Sequence, residues 1–127
     1  KLTKDKIKQE KILSIKGRKF IIKNYFEGYA RFDFSDLCNK NIGAEDYIKI
    51  AEVCKYIIIE NLPNFDDNNS NQQQRFITLI DIFYEKKVSL TISSVSNLDK
   101  LTSAKSLSEP FKRTISRLYE LTSISVA

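Results

Sequence analysis

The sequence predicts an α/β chain (α+β overall) with a small antiparallel β meander at its amino end, then a parallel βαβ unit and a carboxyl-terminal helix. Three observations predict this order. Short β-rich segments flank turn residues at Gly17-Arg18 and Glu27-Gly28. The all-apolar run Tyr56-Ile57-Ile58-Ile59 is followed by a long segment with apolar residues at helical spacing, and then by a second β-rich run. A last amphipathic segment follows Ser108 and Pro110.

Taken in order, residues 1–10 are charged and poor in apolar side chains, and read as a frayed leader. Residues 11–15 and 19–23 read as a hairpin about Gly17-Arg18. Residues 29–34 alternate with period two, placing Phe32 and Phe34 on one face. Asp46 to Cys54 reads as a short helix with Ile50, Ala51 and Cys54 on one side. Tyr56–Glu60 reads as a strand buried on both faces, ended by Pro63. The polar run 66–71 reads as a mobile loop. Gln72 to Lys87 carries Phe76, Leu79, Ile80 and Phe83 in the i, i+3, i+4, i+7 pattern. Residues 88–92 follow as a strand, so strand, helix and strand form a βαβ unit with parallel pairing. Ser108 reads as the cap of the final helix, whose face carries Phe111, Ile115 and Leu118.

The 127 residues are one domain's worth of chain, long enough for a core. The chain begins at Lys1 and contains no methionine, which suggests a piece of a longer protein. It contains no histidine, which excludes Ser-His-Asp or Cys-His catalysis and histidine-ligated metal within it. Two cysteines, Cys38 and Cys54, cannot complete a zinc site and read as buried free thiols. There is no GxxxxGK[ST] or GxGxxG loop, and glycines 17, 28 and 43 stand far apart. Asp66-Asp67 lacks the spacing of a calcium loop. Asp81 and Glu85, an i, i+4 acidic pair, read as helix surface paired with Lys86 or Lys87.

Net charge is +5, but residues 1–23 hold nine Lys and Arg against two Asp and Glu, so the remainder sums to −2. No aromatic residue interleaves with these lysines before Phe20. A solvated basic face is therefore favoured over nucleic-acid binding.

Lysine is the default cation here, so the five arginines carry more information. The guanidinium is a planar fork that matches phosphate and carboxylate. Arg75 is expected at the start of the central helix, where its charge opposes the dipole. Arg113 and Arg117, four apart, are expected near a strand carboxyl end, where open α/β sheets bind ligands. These three arginines are the candidates for sensing a nucleotide phosphate. A salt bridge to Asp81, Glu109 or Glu120 is the competing account.

Four blocks in order resemble a known signature. Phe32-Asp33-Phe34-Ser35-Asp36-Leu37-Cys38 with Gly43-Ala44-Glu45-Asp46-Tyr47 resembles F-x-F-x-x-L-C … G-A-x-D-Y. Asn61-Leu62-Pro63 resembles a V-P after a buried strand. Arg75-Phe76-Ile77, Leu79, Asp81 and Tyr84 resemble R-R-F-I-x-L-x-D-x-x-Y, with Gln74 at the first arginine. Phe111, Arg113-Thr114, Ser116-Arg117-Leu118 and Glu120 resemble F-x-R-T-x-S-R-L-x-E-M. These are marks of the ZapE/AFG-like ATPases, P-loop, AAA-type proteins of bacteria and mitochondria. Gln74, Ile82 and Leu121 depart from the pattern, as does the terminal run 123–126.

The resemblance implies the carboxyl-terminal portion of a P-loop NTPase. Residues 1–36 would form a leader and β insertion, and residues 37–127 part of the ATPase domain. Walker A and Walker B lie outside the chain, so ATP and magnesium are implied for the parent protein and not for this chain alone. Arg117, then Arg113, then Arg75 are the implied phosphate sensors. The implied partners are the upstream half of the ATPase or other subunits, with cell-division (FtsZ) or membrane-associated proteins beyond them. The implied setting is bacterial cytoplasm, with inner-membrane association, or the mitochondrion. The alternative is a non-catalytic binding module, either for an anionic surface through the amino-terminal lysines or for protein interaction.

Overall fold

A computed structural model describes residues 9–15, 17–38, 42–94 and 97–122. Of the frayed leader expected over residues 1–10, residues 1–8 lie outside these described residues, as does the terminal run 123–126; Gln9 and Glu10 are not frayed but open the first strand. Five strands form one sheet: β1 (Gln9–Ile15), β2 (Arg18–Phe26), β3 (Tyr29–Asp33), β4 (Tyr56–Leu62) and β5 (Ser89–Ser94), adjacent in that order. The helices are α1 (Phe34–Cys38), α2 (Ala44–Val53), α3 (Ser70–Lys86) and α4 (Ser108–Thr122).

β1–β2 and β2–β3 pair antiparallel, and β3–β4 and β4–β5 pair parallel. The expected meander and βαβ unit are both present. β3 belongs to each: it ends the meander and begins a second parallel connection through α1 and α2. Gly28 makes this junction possible. Its φ is +91°, and its carbonyl accepts the amides of Lys55 (2.7 Å) and Tyr56 (3.2 Å) at the start of β4. A Cβ there would stand 3.0 Å from the Lys55 side chain.

Three expectations are corrected. The strand expected over 29–34 stops at Asp33, because Phe34 opens α1. Asp33 accepts the Ser35 amide (3.0 Å) and Asp36 accepts the Asp33 amide (3.3 Å), side-chain bonds that turn the chain out of the sheet. The run 66–71 is not a mobile loop. The Asp66 carboxylate accepts the Asn68 amide (2.8 Å), and the Asp66 amide donates to Asn69 Oδ1 (2.7 Å). A 3₁₀ turn over Asp67–Asn69 leads straight into α3 at Ser70, two residues before the expected start. Asp67 also accepts the Lys105 amide, tying this turn to the segment before α4 (3.0 Å). Ser108 does not stand outside α4 as its cap; it is the first helical residue, entered from a 3₁₀ turn over Lys105–Leu107.

Burial is one-sided. Ile57 and Ile59 of β4 are fully buried, while Tyr56 and Ile58 on its other face are only half-buried. The helix-covered face carries Ala30, Phe32, Ile57, Ile59 and Leu90 against Tyr47, Ile50, Phe76, Ile80 and Phe83. The rings of Phe34, Phe65, Phe76 and Phe111 interlock at 5.6–6.0 Å, joining α1, α3 and α4. On the bare face Tyr29 and Tyr56 pair across the strands at 5.8 Å, and the Tyr56 hydroxyl bonds that of Thr91. β4 was expected to be buried on both faces because its run is wholly apolar. Among the described residues, helices cover only one.

Candidate functional site

α4 lies beside α3 because both present apolar faces to one cluster: Leu118 and Phe111 from α4, Ile80 and Phe83 from α3. Helical spacing then brings a second set of residues together at the rim. Asp81 and Tyr84 are i, i+3 on α3, and Arg113, Arg117 and Glu120 follow i, i+4, i+7 on α4. Arg117 Nη1 donates to Asp81 Oδ1 at 2.5 Å. Its guanidinium carbon lies 4.6 Å over the Tyr84 ring, a cation–π contact. The Tyr84 hydroxyl donates to Glu120 Oε1 at 3.0 Å. That bond, and the charge of the carboxylate, raise the Tyr84 hydroxyl above its usual titration range. Arg113 Nη2 lies 3.9 Å from Asp81 Oδ2, and its side chain is 60% exposed against 27% for Arg117. Two guanidiniums therefore share one carboxylate. Asp81 was expected to pair with Lys86 or Lys87 of its own helix; its partners lie across the helix interface, and they are the salt bridges to Asp81 that formed the competing account of Arg113 and Arg117.

The arginines do not sit at the carboxyl ends of the parallel strands. α3 leaves that edge at Ser70, and Asp81 lies eleven residues on, about 16 Å along the axis. Arg117, facing Asp81 and Tyr84, belongs to the outer side of the helical layer. Arg75 is also displaced from its expected place. Because α3 begins at Ser70, Arg75 falls in the second turn, and its Nη1 donates to the Cys38 carbonyl at 3.1 Å. It satisfies a carbonyl at the end of α1, a role that accounts for it without a ligand. The structure brings Arg113 and Arg117 together and keeps Arg75 apart.

A different polar group occupies the strand ends. Asn61 Nδ2 donates to Asp33 Oδ1 at 2.5 Å, and the Asn61 amide donates to Ser93 Oγ at 3.3 Å, linking the ends of β3, β4 and β5. Asn61 adopts a left-handed φ of 65° beside a register shift in β4. The Ser35 hydroxyl and amide and the Asn61 side chain hold the Asp33 carboxyl below its usual range. Asp33 and Asn61 were given no role from sequence, although both lie inside the quoted blocks. Their signal is position: each is a polar residue closing an apolar strand.

The thiols are chemically quiet. Cys38 and Cys54 are both free and buried, and burial pushes each up to about 12. Among the described residues no three His, Cys, Asp or Glu side chains gather to hold a metal ion, and no helix is long and apolar enough to cross a membrane.

Comparison with known proteins agrees with the family resemblance. Lactation elevated protein 1 homolog B of Danio rerio is 33% identical over 95 residues, covering 75% of this chain and 19% of that protein. An uncharacterized protein of Schizosaccharomyces pombe is 31% identical over 91 residues, 72% of this chain and 20% of its own. Cell division protein ZapE of Escherichia coli K12 is 30% identical over 90 residues, 71% of this chain and 24% of its own. The chain spans about a fifth to a quarter of the length of these curated relatives. No solved structure matches it. The family profile described as AFG1-like ATPase matches residues 1–127. The chain belongs to the AFG1-like ATPase family.

Proposed function

We propose that this chain is the arginine-bearing carboxyl-terminal part of an AFG1-like ATPase, and that Arg113 and Arg117 present positive charge to ATP bound elsewhere in the parent protein or in a neighbouring subunit. The observation that carries the reading is the loose hold on Arg113, which lies 3.9 Å from Asp81 with 60% of its side chain exposed on the outer helical face. That donor set fits phosphate oxygens. It offers nothing to magnesium, which would be held by residues outside this chain. ATP supplies the phosphoryl group when bound; guanidinium charge near it stabilises the negative charge that develops during transfer. The outward position of the pair favours delivery to a neighbour over delivery to this sheet's own strand ends. By likeness to the cell division protein of E. coli, the same reading places the parent in bacterial division, in the cytoplasm.

The test is ATP turnover by the parent ATPase carrying Arg113→Ala with Arg117→Ala. Retained nucleotide binding with turnover reduced by about 10³-fold is the expected result. Unchanged turnover would sink the reading.

One observation favours a second reading, a protein-interaction module. Ile12 and Ile21 face each other across β1 and β2 on the bare side of the sheet, 57% and 46% exposed. This reading gives the chain a role in docking and none at the phosphate.

A further inference from the structure

Resting on the proposed reading, the geometry points to a division of labour: Arg113 is the guanidinium that reaches polyphosphate, and Arg117 is a positioning residue that occupies Asp81 so that Arg113 is released. The two arginines differ in every feature that decides availability. Arg117 is closed in on three sides, by the Asp81 carboxylate at 2.5 Å, the Tyr84 ring at 4.6 Å and the surrounding helices, with 27% of its side chain exposed. Withdrawing it would cost a charge-assisted bond and a cation–π contact together.

Arg113 lies one turn nearer the start of α4 and is 60% exposed. Its 3.9 Å approach to Asp81 is beyond hydrogen-bond distance. Asp81 meets Arg117 with Oδ1 and faces Arg113 with Oδ2, so a single negative charge is divided unequally between two cations. The other cation on this side of the helix start, Lys112, is paired with Glu109 at 3.1 Å. Of the two arginines, Arg113 is thus the one that an incoming phosphate can take at the smaller loss of existing contacts. Asp81 is its intramolecular competitor.

The test titrates the parent ATPase with inorganic tripolyphosphate at low ionic strength. The arginine side-chain Nε–H signals are followed by NMR and assigned by Arg→Lys variants. The Arg113 signal should move saturably while that of Arg117 stays in place. Arg113→Ala, at an exposed position where folding is not at stake, should weaken binding about three- to tenfold. Asp81→Asn, close to isosteric, should tighten binding and bring the Arg117 signal into the response, an effect that a purely structural Asp81 would not produce. Movement of Arg117 with Arg113→Ala without effect would overturn the division of labour and leave the ATPase reading standing. A wild-type parent in which neither signal moves would overturn the division of labour, while the turnover of the double variant decides the ATPase reading separately.

Discussion

On the α3–α4 face, charged side chains meet carboxylates and rings across a helix interface; on the β1–β2 hairpin, Ile12 and Ile21 face each other across the strands and stand about half exposed. Both regions belong to one fold with one core, and both are rich in cations. The difference lies in what covers them. Where helices pack, the half-buried environment strengthens electrostatic contacts and holds Arg117 in one geometry. Where the sheet is bare, lysines such as Lys19 and Lys23 stand exposed beside exposed isoleucines. The helical layer is therefore where a defined polar geometry can exist, and the bare hairpin is where surface remains open to another partner.

The strongest way to break the helical side is through its core. Phe76 is fully buried among Phe34 and Phe65, so Phe76→Ala should cost about 3–5 kcal/mol, read as a lowered urea midpoint. Retention of the wild-type midpoint would mean that the helices do not pack as described.

A smaller effect follows from the thiols beneath the same layer. Cys38 and Cys54 titrate at about 12 when folded, against about 8.5 for an exposed thiol. The folded chain keeps protons that the unfolded chain releases. This contribution is fully present below about 8.5 and is lost as pH rises towards 12. Stability should fall across that window, and Cys54→Ala should flatten the fall in a pH series of denaturation midpoints. An unaltered slope in the variant would show that Cys54 is not buried.

The smallest effect sharpens the comparison from the other side. Ile21→Thr on the bare face should change stability by no more than about 0.5 kcal/mol, because its side chain loses little burial and threonine suits a strand. A loss of several times that would mean that the hairpin face is covered in solution.

The corrected expectations share one cause. Asp81 was matched to Lys86 or Lys87 because in-helix neighbours are visible in the chain, whereas Arg117 is 36 residues away. Arg75 was placed at a helix start because the polar run 66–71 carries turn residues. The same Asp and Asn side chains, bonded to nearby amides, instead nucleate the turn that starts α3 early. β4 was expected to be buried on both sides because composition reports hydrophobicity and not which face a helix covers.

Periodicity and local side-chain chemistry by themselves determined the strands, the two long helices, the βαβ unit and the family blocks, because each depends on residues within a few positions of one another. The tertiary structure alone decided that β3 joins the meander to the parallel strands, that Asp81 takes both Arg117 and Arg113 in place of its in-helix lysines, and that Asp33, Asn61 and Ser93 meet at the strand ends. Those pairings bring together residues 28 to 36 positions apart, at spacings set by how helices and strands pack and not by any local pattern.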